Sequence, residues 1–80
     1  MTSSAEALMD PDWRTFGERM RRCRLAVNKT KPDLARDVGI PVDTIYRYER
    51  GDFYPSEKRL VDIARAIRTT ADYLLYGDDE

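Results

Sequence analysis

Eighty residues with a single cysteine and no histidine lie near the lower size at which one apolar core holds without staples, and they exclude an internal disulfide and any histidine-based metal or catalytic site. No apolar run approaches the roughly 20 residues needed to span a bilayer, and the N-terminus lacks the apolar segment of a secretory leader, so a chain that stays in a reducing cytoplasm is expected. The net charge of minus 1 hides a partition: all fourteen Lys and Arg lie in residues 11–68 beside nine acids, while residues 1–10 and 69–80 carry acids alone.

Residues 1–10 have no capping or periodic signal and are expected to form a flexible N-terminal tail. Asp10-Pro11-Asp12 reads as a helix start, with an acceptor at the cap, a proline where no amide donor is needed, and a carboxylate on the positive end of the dipole. Phe16, Met20, Cys23 and Val27 then recur at helical spacing, which predicts an amphipathic first helix ending near Asn28. Cys23 lies on that stripe, so core packing is its expected role, and no metal site is proposed for it.

Thr30-Lys31-Pro32-Asp33 predicts the start of a second helix, with Thr30 as cap and Asp33 returning a bond three residues later. Leu34, Ala35 and Val38 face inward, and Gly39 ends the helix in the left-handed conformation. About eight helical residues are too few to stand alone, so packing must hold them. A third helix starts within Ile40-Pro41-Val42 and stops at Gly51. Pro55-Ser56 opens a fourth, whose Leu60, Ile63, Ala64 and Ile67 repeat the helical period. Thr70 caps a short fifth, Ala71 to Tyr76, and Gly77 follows. Asp78, Asp79 and Glu80 make an acidic C-terminal tail. Nothing alternates like a half-buried strand, so the expected fold is all-α, five short helices about one core within residues 11–77.

At 100° per residue, Ile45 and Tyr48 share one side of the third helix, and Val42, Asp43, Tyr46, Arg47 and Arg50 share the other. Ile45 matches the apolar faces of the neighbouring helices, so its side is the inner one. Two short helices joined by a glycine turn, the second displaying mixed polar groups outward, form the arrangement by which a helix-turn-helix offers a recognition helix to the major groove.

Four stretches stand in order: F-G-E-R-M-R-R-C-R, D-L-A-R-D-V-G-I, T-I-Y-R-Y-E-R-G and A-D-Y-L-L-Y-G. They resemble the first helix, second helix, recognition helix with its exit, and last helix of the lambda-repressor/Cro-like (Xre-type) helix-turn-helix family. The resemblance runs from Phe16 to Gly77 and implies a five-helix lambda-repressor-like DNA-binding domain with helices 2 and 3 as the helix-turn-helix. It implies an ion pair between Arg24 and Glu49 that holds the first helix to the recognition helix. Thr30, Lys31 and Arg50 match positions that approach DNA phosphates, where amides and the helix dipole favour an anion. Val42, Asp43, Thr44, Tyr46 and Arg47 match or border base-facing positions. There, Arg47 suits guanine, Asp43 a cytosine amine and Val42 a thymine methyl.

The chain departs from the family in places. Pro41 stands where a capping Ser or Thr is usual, leaving Asp43 either to serve the free amides or to contact a base. Lys31 replaces a common glutamine, and Arg68 stands where glycine is common, which implies mild strain. Phe53 and Tyr54, in a loop without the usual bases, are read as a lid on the core, with a partner surface as the alternative.

The expected function is that of a sequence-specific, DNA-binding transcriptional regulator, most simply a repressor that binds a palindromic operator on double-stranded DNA as a homodimer. Tyr73, Leu74 and Tyr76 are the candidate dimer contacts, with ordinary packing inside the chain as the alternative, above all for Leu74. The alternative is an antitoxin-like module that uses the same fold to bind a protein partner. No enzyme is expected, because no nucleophile and base can be paired, and no cofactor motif is present.

Overall fold

In a computed structural model of the chain, residues 13–77 are described, so the two expected tails and the Asp10-Pro11-Asp12 helix start lie outside the described residues. Five helices follow in order: α1 (Trp13–Ala26), α2 (Lys31–Val38), α3 (Val42–Arg50), α4 (Glu57–Ala66) and α5 (Ala71–Tyr76). No strand occurs among the described residues. The all-α expectation and its five elements hold.

The helices begin and end where local chemistry satisfies orphan backbone groups. The Thr30 hydroxyl accepts from Asp33 N at 3.1 Å, and the Asp33 carboxylate accepts from Thr30 N at 3.0 Å, a complete capping box at α2. Ser56 Oγ accepts from Arg59 N at 3.2 Å at α4, and Thr70 Oγ1 from Tyr73 N at 3.0 Å at α5. Gly39 ends α2 at φ 81°, where an added Cβ would meet nothing within 4 Å. Glycine is needed there for its torsion, not for space. Arg68, after α4, adopts φ 63° without being glycine, a conformation that costs about 1–2 kcal/mol for an L-residue.

Phe16, Met20, Leu34, Ile45, Ile63, Ile67 and Leu74 are the largest fully buried side chains, drawn from all five helices and the C-cap of α4. Cys23, Val27 and Val38 pack half-buried against them. The principal contacts form a closed ring: α1 packs on α3 and α5, α3 on α2, α2 on α4, and α4 on α5. Leu74 is 0% exposed inside this ring. Its expected place in a dimer contact is therefore corrected: a helix of six residues docks by burying Leu74, with Ala71 and Leu75 packed beside it, leaving Tyr73 half-buried and Tyr76 exposed.

Candidate nucleic-acid interface

α3 is anchored from beneath by Ile45 and Tyr48, 0% and 4% exposed. With those two fixed, helical geometry turns Val42, Asp43, Tyr46, Arg47 and Arg50 to solvent, and Thr44 is half-buried at the flank. The cap of α3 is Pro41, which supplies no side-chain hydrogen bond. Asp43 does not replace it. Its Oδ2 accepts from Arg47 Nε at 2.8 Å, one turn further along the exposed ridge.

The other cations of this face are also matched by acids. Arg50 donates from Nε and Nη2 to Asp52 Oδ2, at 3.1 and 2.5 Å. That carboxylate raises the Arg50 pKa above its ordinary value. Lys31 Nζ lies 4.8 Å from the centroid of the Tyr46 ring and 3.9 Å from Glu49 Oε1, so α2 lends its charge to the outer face of α3. The Thr30 hydroxyl is engaged in the α2 cap. Phe53 and Tyr54 are both largely exposed. Phe53 touches the core edge, with its ring edge-on to Tyr48 at 5.4 Å.

Behind the ridge, Arg24 donates from Nε to Glu49 Oε2 at 2.7 Å and from Nη2 to Glu49 Oε1 at 3.2 Å. Its Nη1 donates to Lys29 O at 2.8 Å. Both side chains are about 5% exposed or less. Both ions are desolvated, so the pair's net worth is modest, but stranding either partner costs about 3–5 kcal/mol. The bidentate geometry fixes the angle between α1 and the end of α3.

Sequence reasoning missed three residues that set this frame. Gly17 lets α1 touch α3 at backbone distance, since a Cβ there would overlap the Glu49 carbonyl, 2.7 Å from its carbon and 2.9 Å from Tyr48 O. A glycine inside a helix is locally unfavourable, and that was the available signal. Arg19 caps α5, donating from Nε to Leu74 O at 3.1 Å and from Nη2 to Leu75 O at 2.8 Å, with Tyr73 beneath it. Lys29 joins the α1–α2 turn to α2 and α4, donating to Asp37 Oδ2 at 2.5 Å and to Ala66 O at 2.9 Å. No local pattern marks either of these long-range bonds.

With this arrangement in place, comparison with known proteins gives a direct result: a helix-turn-helix family model matches residues 20–74. The chain belongs to the helix-turn-helix family. Among family members, the HTH-type transcriptional regulator DicA of Escherichia coli K12 is 30% identical over 66 residues, covering 82% of this chain and 49% of DicA. The cryptic phage CTXphi transcriptional repressor RstR of Vibrio cholerae is 37% identical over 57 residues, covering 71% of this chain and 51% of RstR. The chain thus spans about half the length of these curated relatives. The P22 c2 repressor, solved in complex with a synthetic operator, superposes with a TM-score of 0.76 at 32% identity, covering 79% of this chain and 96% of that one. The helix-turn-helix itself is α2, the Gly39 turn and α3.

Proposed function

We propose that the chain is a sequence-specific DNA-binding transcriptional regulator, acting as a repressor in the cytoplasm with α3 in the major groove of double-stranded DNA. The observation that carries this reading is the split of α3: Ile45 and Tyr48 locked into the core while Val42, Tyr46 and Arg47 stand out on the opposite ridge. Val42, Asp43, Thr44, Tyr46 and Arg47 form the base-facing set; Thr30, Lys31 and Arg50 face phosphates. The names of DicA, RstR and the operator-bound P22 c2 repressor support it. A binding role fits the buried Arg24–Glu49 pair, which is spent on joining helices.

A nine-residue α3 reads only a few base pairs, so useful affinity calls for two copies on half-sites about one helical turn apart. Exposed Tyr76, with Tyr73 beside it, is the proposed two-fold contact. Selection of bound duplexes from a random pool tests the whole reading. The expected product is a consensus with two inverted half-sites roughly 10 base pairs apart, centre to centre. A pool from which no sequence is enriched would overturn it.

A further inference from the structure

Arg47 is held on two sides by its own chain. Its Nε donates to Asp43 Oδ2 at 2.8 Å, and its guanidinium carbon lies 6.0 Å from the centroid of the Phe53 ring. Phe53 is fixed in turn, edge-on to Tyr48 with ring planes at 86°, and Tyr48 belongs to the core. A continuous row of contacts therefore runs from the core through Phe53 to Arg47 and on to the first turn of α3.

The donor inventory then narrows what Arg47 can present. A guanidinium has five N–H donors in a rigid fork. Asp43 takes the one on Nε, and among the described residues neither Nη atom makes a hydrogen bond. The side-on edge, Nε with Nη, is closed to a ligand. The end-on edge, Nη1 with Nη2, remains open and offers two parallel donors, the geometry that matches O6 and N7 of guanine. Asp43 Oδ1 makes no hydrogen bond among the described residues.

We infer that Asp43 is a positioning residue for Arg47, and that with Phe53 behind it the pair reads one guanine as a single unit through the Nη edge. This rests on the proposal that α3 reads DNA. An ordinary surface ion pair would have the same spacing, but it makes the opposite statement about choice of sequence. As a mere carboxylate near phosphates, Asp43 weakens binding to every duplex alike. As a positioning group, it weakens binding to every duplex and sharpens the choice at one base pair.

The test uses the full chain, first to select a consensus from random duplexes and then to measure Kd for the consensus, for single-base-pair variants of it and for an unrelated duplex. Wild type, Asp43→Asn, Arg47→Ala and the double variant are compared, with thermal melts to check that each is folded. The expected result for Asp43→Asn is a loss of discrimination of about fivefold at the same base pair that Arg47→Ala affects. Its affinity for the unrelated duplex rises about twofold to threefold. In the Arg47→Ala background, Asn at position 43 changes discrimination nowhere. Unchanged discrimination in Asp43→Asn overturns the inference, as does loss at a different base pair, which would make Asp43 a reader on its own. Both outcomes leave the DNA-binding proposal standing. A wild-type chain that enriches no sequence ends that proposal and the inference with it.

Discussion

Arg47 and Lys31 carry the same charge, but their surroundings give them different work. Arg47 is exposed in mid-ridge on α3, while Lys31 sits at the first residue of α2 against Tyr46 and Glu49. A base contact discriminates by about 1–3 kcal/mol, and a phosphate contact acts on every sequence alike. Arg47→Ala is therefore expected to weaken binding to the selected duplex by that amount with little loss on an unrelated one. Lys31→Ala is expected to weaken both and to reduce the salt slope by about 1. Anisotropy titrations at several salt concentrations check the pair, and equal losses on all duplexes for Arg47→Ala would remove its base-reading role. At this scale the sequence was legible where one helix decides the outcome. Ile45 in and Arg47 out follow from 100° per residue, whereas the attachment of Lys31 to Tyr46 crosses two helices and leaves no trace in spacing. Leu74 was left between core and dimer contact because a helix of under two turns defines no clear inner face.

Among the elements, α2 depends most on its ends, since eight residues cannot sustain a helix by propagation. Asp33 is held below the usual carboxylate range by the Thr30 backbone N–H first, then by the Thr30 hydroxyl and the Arg36 guanidinium. Its pKa is lower in the folded chain than in the unfolded one. The stabilisation it gives is thus complete above the ordinary carboxylate range and disappears as pH falls through the lowered value. Melting temperatures measured from about pH 5 downward are expected to fall more steeply for the wild type than for Asp33→Asn; parallel curves would show that the Asp33 charge contributes nothing. Helix ends were the most readable part of the fold. Thr30, Gly39, Gly51, Ser56, Thr70 and Gly77 all stand at observed caps, because a cap is made within a few residues of itself. α3 is the exception in chemistry, though not in position. Pro41 starts it by fixing a torsion, and the neighbouring carboxylate that was free to cap turns to Arg47 instead.

For the molecule as a whole, the ring of five helices closes through the contact of α1 with α3, and Gly17 sets its distance. Local propensity alone favours alanine inside a helix by about 0.5–1 kcal/mol. The backbone of Glu49 opposes it, because a Cβ there must push α1 off α3 and pull on the Arg24–Glu49 bond two turns away. Overpacking of this kind costs about 1–3 kcal/mol, so Gly17→Ala is expected to lower the melting temperature, by about 4–8 °C for each net kcal/mol in a domain of this size. A thermal melt decides the sign, and a rise would mean that the two helices have room to spare. The closure of the ring was not visible in the sequence, since period and caps give elements but not which element touches which. The matched charges of the outer ridge have a consequence for how such a protein finds its address on a chromosome. With Asp43 and Asp52 already standing beside Arg47 and Arg50, fewer of the ridge's cations are free to displace the ion cloud of an arbitrary stretch of DNA. If α3 reads DNA as proposed, such a face is expected to leave unrelated sequences quickly, so that few copies keep the right one occupied.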